Sequence, residues 1–132
     1  SGRTDYTRLK GIKEWNFGLF EAQPERLQPK FRPGATSFED LFVPYGGEGV
    51  DQVGERMLVT LTEVMEQAGA EPVLAVSHGG AMWAFYLKIA AQALDPKVRF
   101  GNCAICHYHY EPGHFKLAEV IDPLTGSVYE CE

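Results

Sequence analysis

The sequence has little positive charge, few cysteines and no long apolar run. It carries 12 Lys and Arg against 18 Asp and Glu, a formal net charge of −6. That balance argues against a protein that binds nucleic acid or an acidic membrane surface in bulk. A small anionic substrate stays possible, because it needs only a locally positive pocket. We also expect no membrane-spanning helix, since no stretch of about 18 apolar residues is present.

The cysteine content and the overall composition indicate a globular protein without a disulfide framework. There are 3 cysteines, an odd number, which does not favour a set of disulfide pairs. No secretory signal is visible, and we expect a cytoplasmic location. A length of 132 residues with 45% hydrophobic and 23% charged residues is typical of one domain with one core. We therefore expect a single domain over 1–132.

The most informative segment is Val76-Ser77-His78-Gly79-Gly80, which lies between two apolar stretches. This order predicts a buried strand over 72–77, a sharp turn and then a helix. His78 would lie at the carboxyl end of the strand, where open α/β sheets bind ligands. The helix N-terminus that follows would attract an anion such as a phosphoryl group. Taken alone, the pattern is equally consistent with a turn that merely contains a histidine.

The remaining pattern predicts an α/β protein with a mixed sheet flanked by helices. Residues 23–47 are rich in proline and glycine and should be irregular, with one helical turn near 37–41 that Ser37 could cap. Apolar spacings of three and four predict a helix over 49–67. Further predicted elements are a helix over 80–94, strands over 103–110 and 114–121, and an irregular tail over 122–132.

Four segments in this chain follow the order of motifs found in one enzyme family. They are residues 12–22 with Glu14, Gly18 and Glu21, residues 46–48 followed by Arg56, residues 77–80 and residues 100–105. From about Leu9 onward the chain thus resembles the histidine phosphatase superfamily, the phosphoglycerate-mutase-like proteins. Two positions depart from the family pattern, since Ala22 replaces a usual glycine and Gly49 replaces a usual serine.

The resemblance implies roles for particular residues in phosphoryl transfer. Glu14 would be the acid or base at the leaving group, and His78 would be a positively charged donor beside the phosphate. Gly79 would donate its backbone N–H to the substrate, and Phe17 would line the pocket. Without the resemblance, Glu14 is better interpreted as a solvated loop carboxylate.

Two further charged residues are expected to be structural. Glu21 could brace the loop by accepting hydrogen bonds from backbone N–H groups. Arg56 has acidic neighbours on its helix, which favours a structural salt bridge over a role in the reaction.

The family's nucleophile is a histidine in an Arg-His-Gly motif on the first strand, and this sequence contains no Arg-His-Gly. It also lacks the helix that carries the family's second phosphate-binding arginine. We therefore expect the C-terminal part of a phosphoglycerate-mutase-like domain, with the N-terminal strand and helix missing. The intact parent would transfer or hydrolyse small phosphomonoesters through a phosphohistidine. The alternative is an inactive remnant that keeps a phosphate-binding half-site.

The same resemblance leads to expectations about substrate and partners. Trp15-Asn16-Phe17 stands where cofactor-dependent mutases typically carry an Arg-His-Tyr-like run, which favours a broad phosphatase that acts on small phosphorylated substrates. No cofactor, nucleic acid or membrane partner is expected. The missing strand would lie beside 73–77, so the exposed sheet edge could support a homo-oligomer.

One motif points to different chemistry. Residues 103–107, Cys-Ala-Ile-Cys-His, match the haem-attachment pattern, and nearby histidines add metal-like spacing. In the predicted strand, however, Cys103 and Cys106 would point to opposite faces. We therefore expect neither a metal nor a haem site here.

Overall fold

The chain is an α/β protein, as the sequence predicts. A computed structural model describes residues 2, 4–35, 37–90 and 95–131. Its helices are α1 (Val50–Ala68) and α2 (Gly79–Ala90), and its strands are β1 (Ile105–Glu111), β2 (His114–Asp122) and β3 (Ser127–Glu130). Short 3-10 helices lie at Lys10–Ile12, Gly18–Phe20, Glu25–Leu27 and Val43–Tyr45. None of the described helices is long and apolar enough to cross a membrane.

The two α-helices pack against each other and carry much of the core. The predicted apolar stripe of α1 is confirmed, since Val53 and Met57 are buried in one cluster with Ala84 and Phe85 of α2. The helix α1 ends at Ala68 and is followed by Gly69, whose backbone has a φ of 63°. That positive φ suits glycine, and the Gly69 N–H donates to the Met65 carbonyl at the end of the helix.

The sheet is antiparallel with the order β1-β2-β3. The strands β1 and β2 form the predicted hairpin, which turns through Pro112 and Gly113. On β1, half-buried and exposed residues alternate along the strand, as expected for a sheet with one covered face. Leu117 and Val120 of β2 pack with Tyr86 of α2 in a second cluster, so α2 packs against the sheet as well as against α1.

The predicted strand over 72–77 is not formed among the described residues. The segment has no regular secondary structure, and Leu74 and Val76 are 80% and 79% exposed. The apolar pattern is that of a buried strand, but a strand requires a neighbour with which to pair its N–H and C=O groups. No described strand lies beside this segment, so the expectation is wrong for this chain.

Three further elements differ from their predicted bounds or are described only in part. The tail is not irregular, since residues 127–130 form β3 and pair with β2 after the turn at 123–126. Cys103 lies in a turn before β1 with a φ of 63°, rather than on the strand as predicted. The helix predicted to reach residue 94 is described as far as Ala90, and residues 91–94 lie outside the described residues.

Candidate functional site

The carboxylate of Glu14 lies at the N-terminus of α2. Its Oε1 accepts hydrogen bonds from the N–H groups of Ala81 and Trp15, each at 2.8 Å. Its Oε2 accepts a hydrogen bond from the Gly80 N–H at 3.3 Å. The N–H groups in the first turn of a helix have no partner within the helix, and the helix dipole favours negative charge there. The Glu14 carboxylate, which comes from a distant part of the chain, therefore accepts hydrogen bonds from these N–H groups and places a negative charge at the helix N-terminus.

His78 and Gly79 directly precede Gly80 and Ala81, the two residues whose N–H groups bind this carboxylate. Both His78 and Gly79 are exposed. The carbonyl of His78 accepts a hydrogen bond from the Met82 N–H at 2.8 Å, so helical hydrogen bonding begins at His78. The Ser77 hydroxyl donates to the Ile12 carbonyl at 2.7 Å. The loop that carries Glu14 and the segment that carries His78 are thus held together, although Glu14 and Gly80 are 66 residues apart in sequence.

Gly80 is required by the close approach of two side chains. A Cβ atom added at this position would lie 2.8 Å from Oε1 of Glu14 and 3.4 Å from Cε2 of Phe38. A side chain there would displace the carboxylate from the helix. The same distances place the edge of the Phe38 ring beside the carboxylate, so the proline-rich loop over 23–47 borders the site.

Arg56 holds the loop that carries Glu14. Its Nε and Nη2 atoms donate to the two carboxylate oxygens of Glu48 at 2.8 and 2.9 Å. Its Nη1 donates to the carbonyls of Gly11 and Lys13 at 2.9 Å, and its Nη2 donates to the carbonyl of Glu14 at 3.0 Å. The expectation of a structural salt bridge is confirmed. The planar guanidinium can reach all these acceptors at once, which an ammonium group cannot.

Glu48 connects Arg56 to the segment that carries Trp15 and Asn16. Its Oε1 accepts a hydrogen bond from the Asn16 N–H at 2.9 Å, and its carbonyl accepts one from the Trp15 indole at 2.7 Å. Burial alone raises the pKa of the Glu48 carboxyl, but the hydrogen bonds from Arg56 and Asn16 and the nearby positive charges outweigh it. The net effect is a pKa below the ordinary value, so the carboxylate stays ionised beside Arg56.

The bend after Phe17 is fixed by a glutamate and a glycine. The Phe17 N–H donates to Oε1 of Glu21 at 2.7 Å, which confirms that Glu21 braces the loop. Gly18 has a φ of 60°, and a Cβ atom there would lie 2.1 Å from the Tyr45 carbonyl oxygen. Any side chain at this position would separate the two loops.

Aromatic rings cover the inner side of the loop. Phe17 is half-buried, with its ring centroid 5.4 Å from that of Phe38 and 4.8 Å from that of Phe42. Trp15 is only 2% exposed and packs edge-on against Phe38 at 5.2 Å. Phe17 thus packs against Phe38 and Phe42, and Phe38 is the ring that lies beside Gly80.

No group of three or more potential metal-ligating side chains is found in the part of the chain that the structure describes. The three cysteines are not paired with one another. Burial raises the pKa of the Cys106 thiol to about 12, helped by the neighbouring Cys131. This thiol is therefore protonated near neutral pH and is a poor metal ligand.

Sequence reasoning missed the residues that complete the site. Phe38 and the N–H groups of Gly80 and Ala81 contact or adjoin the Glu14 carboxylate. The predicted start of a helix at residue 80 could have identified the Gly80 and Ala81 N–H groups, because the first N–H groups of a helix have no partner within it. Phe38 gave no clear signal, because its loop is irregular and its neighbours in space are distant in sequence.

Comparison with known proteins identifies the family of the chain. The family model of the histidine phosphatase superfamily (branch 1) matches residues 1–123. The chain is also 31% identical over 99 residues to the metal-independent phosphoserine phosphatase of Arabidopsis thaliana. That match covers 75% of this chain and 39% of the relative, so the matched region is well under half of the relative's length. No solved structure gives a significant match. The chain belongs to the histidine phosphatase superfamily.

Proposed function

We propose that this chain supplies part of the active site of an enzyme that transfers or hydrolyses the phosphoryl group of small phosphomonoesters. In this proposal Glu14 is the acid or base at the leaving oxygen. His78 and the Gly79 N–H are donors to the phosphate oxygens, and Phe17 lines the pocket. The arrangement separates proton transfer from charge stabilisation, the two tasks that phosphoryl transfer requires besides a nucleophile.

The observation that carries the proposal is the position of the Glu14 carboxylate on the Gly80 and Ala81 N–H groups, directly after His78. The acid and the hydrogen-bond donors to the phosphate oxygens must all reach one phosphomonoester. The distance between them should therefore be about the size of a small molecule. The Gly79 N–H has no acceptor among the described residues and is exposed. It is therefore available to an incoming phosphate oxygen.

The proposed nucleophile is a histidine in an Arg-His-Gly motif of the intact parent, which would form a phosphohistidine. The sequence of this chain contains no such motif. We accordingly propose that the chain is the C-terminal part of a phosphoglycerate-mutase-like domain. The relative is named a phosphatase, which supports hydrolysis over mutase activity. We therefore propose that the intact parent of this chain is a phosphatase.

The test compares this chain with a version extended upstream along the parent gene to include Arg-His-Gly. We expect negligible turnover of p-nitrophenyl phosphate by the chain alone and robust turnover by the extended protein. Glu14→Gln and His78→Ala should each lower kcat of the extended protein by about 100-fold or more. Glu25→Gln, at an exposed loop position, is the matched control and should leave kcat unchanged. Turnover by the chain alone that His78→Ala abolishes would make His78 the nucleophile and overturn the assignment.

The second candidate function is phosphate binding without catalysis, favoured by the absence of Arg-His-Gly from this sequence. If the parent gene carries no Arg-His-Gly upstream of Ser1, this alternative replaces the first. Inorganic phosphate would then still shift the amide resonances of Gly79 and Gly80, while no phosphomonoester would be turned over.

The proposal also covers location and partners. We propose a cytoplasmic protein that acts on a small phosphorylated substrate without a metal or other cofactor and without nucleic-acid or membrane partners. The three unpaired cysteines are consistent with a reducing compartment. Self-association through the exposed segment 72–77 is part of the same proposal.

A further inference from the structure

Phe31 and Phe38 form a stacked aromatic pair at the border of the candidate site. Their ring centroids lie 5.3 Å apart with an angle of 15° between the planes. Phe31 is 58% exposed. A single exposed phenylalanine requires no explanation, but this ring belongs to a pair whose other member, Phe38, lies beside Gly80.

The pair is connected to the site through Phe38. The edge of the Phe38 ring lies 3.4 Å from where a Gly80 Cβ would stand, and Glu14 Oε1 lies 2.8 Å from the same point. Trp15 and Phe17 hold Phe38 from the other side at centroid distances of 5.2 and 5.4 Å. Phe38 is therefore fixed, and Phe31 extends the aromatic surface outward from it.

The loop that carries the pair is anchored next to Phe38. The Val50 N–H donates to the Glu39 carbonyl at 2.8 Å, which ties the residues after Phe38 to the start of α1. The Phe38 ring is thus held beside the site before any ligand binds, and preorganised contacts lose less entropy on binding. Phe31 is positioned by its stacking on this ring.

We propose that Phe31 and Phe38 form an aryl subsite that favours phosphomonoesters with an aromatic leaving group over those with a small polar one such as phosphoserine. The inference rests on the proposed function and deepens it by naming the substrate class. A phosphate at the Gly79 N–H would lie one residue before Gly80, and the Phe38 ring edge lies 3.4 Å from where a Gly80 Cβ would stand. A ring on the leaving group would therefore lie on the side of the site that the aromatic pair borders. Offset or edge-on contact between rings would then add to the affinity.

The test is an NMR titration of the isotope-labelled full chain with inorganic phosphate, O-phosphoserine and phenyl phosphate. We expect all three to shift the amide resonances of Gly79 and Gly80. Phenyl phosphate should also shift the ring resonances of Phe31 and bind about three- to tenfold more tightly than O-phosphoserine. Phe31→Leu keeps an apolar side chain but removes the ring, and should reduce that ratio to about one.

Phe20→Leu is the matched control, because the Phe20 ring contacts Phe42 and Tyr45 rather than Phe38. This variant should keep the preference for phenyl phosphate. Equal affinities for the two esters in the unmodified chain, or a preference that survives in Phe31→Leu, would overturn the aryl subsite while phosphate binding stands. If inorganic phosphate also fails to shift Gly79 and Gly80, the proposed phosphate site fails and the aryl subsite is overturned with it.

Discussion

Arg56 makes hydrogen bonds to a carboxylate and to three backbone carbonyls, although its side chain is still 19% exposed. Each acceptor belongs to the segments that shape the loop around Glu14. Removing the guanidinium would leave the Glu48 charge and these carbonyls without their donor. Leaving partly buried polar groups without a partner costs more folding free energy than an exposed ion pair contributes.

We predict that Arg56→Ala lowers the free energy of unfolding by about 2–4 kcal/mol. Arg56→Lys should recover little of this loss, because one ammonium group cannot reach all the acceptors. Urea denaturation measures both. Arg32→Ala is the control, since the side chains of its pair with Asp40 are 68% and 64% exposed, and it should cost less than about 0.5 kcal/mol. Equal losses for Arg56→Ala and Arg32→Ala would contradict the structural role.

Glu48 makes stability depend on pH in a defined direction. The hydrogen bonds from Arg56 and Asn16 lower its pKa below the ordinary value of 4.5, against the opposing effect of burial. A carboxyl whose pKa is lower in the folded state stabilises the fold above the unfolded pKa. That contribution is lost as the pH falls through the folded value. Glu48→Gln should therefore flatten the pH dependence of the free energy of unfolding below about pH 4.5.

Urea denaturation between pH 7 and pH 3 measures this effect. Glu25→Gln is the comparison, because Glu25 lies exposed in the loop, and it should leave the pH dependence unchanged. If Glu48→Gln and the native chain lose stability in parallel as the pH falls, the carboxylate is not the origin of the acid sensitivity.

At the scale of whole elements, α1 and α2 approach each other closely at Gly54. A Cβ atom added there would lie 2.9 Å from the Ala84 carbonyl oxygen and 3.0 Å from the Lys88 Cβ. The carbonyl belongs to the backbone of α2 and cannot move without the helix. The absence of a side chain at Gly54 therefore sets the distance between the two helices.

We predict that Gly54→Ala destabilises the chain although alanine is the better helix former. Alanine gains about 1 kcal/mol of helix propensity over glycine, but overpacking a well-filled contact costs about 1–3 kcal/mol. A net loss of about 1 kcal/mol is expected by thermal or urea denaturation. Val59→Ala, on α1 at a residue that is 46% exposed, should change stability by less than about 0.5 kcal/mol. A gain of stability in Gly54→Ala would show that the helices can separate freely.

The elements with a local signal could be predicted from the sequence. The helix α1 follows from its apolar spacing, and the β1–β2 hairpin follows from alternating residues around Pro112-Gly113. The segment 72–77 was wrongly predicted because its apolar pattern indicates a partner that the described chain does not provide. The strand β3 was missed because its four residues, 127–130, are mostly exposed and carry little apolar signal.

The site was predictable only in part. His78 and Gly79 were indicated by the predicted strand, turn and helix around them, whereas Glu14 and Phe17 came from motif resemblance. The roles of all four stay predictions. The hydrogen bonds from Gly80 and Ala81 to Glu14, and the position of Phe38, depend on packing between segments that are far apart in sequence. Local residue patterns carry no information on such contacts.

At the scale of the whole molecule, one surface is unusually apolar. Val73, Leu74 and Val76 are 41%, 80% and 79% exposed along a segment without strand partners. Such a segment has unpaired backbone groups and apolar side chains together, which favours pairing with another chain.

We predict that the purified chain self-associates through this segment. Size-exclusion chromatography with light scattering should give a mass above the 14.7 kDa of one chain. The double variant Leu74→Lys, Val76→Lys should shift the mass to that of one chain, because charge opposes edge pairing. Leu19→Lys, at a residue that is 77% exposed elsewhere, should leave the association intact. A native chain that elutes as a monomer and melts cooperatively would show that this segment does not pair with another chain, and would contradict the prediction.

The hydrogen bonds that place Glu14 also determine when the site can form during folding. They connect residues 66 and 67 positions apart, and the Ser77–Ile12 bond spans 65. Closing loops of that length is entropically costly, whereas helices and hairpins close locally and quickly. The α-helices and the β1–β2 hairpin can therefore assemble before the N-terminal loop docks. Partly folded chains would lack the Glu14 carboxylate at the start of α2, so the proposed site would be complete only in chains that have finished folding.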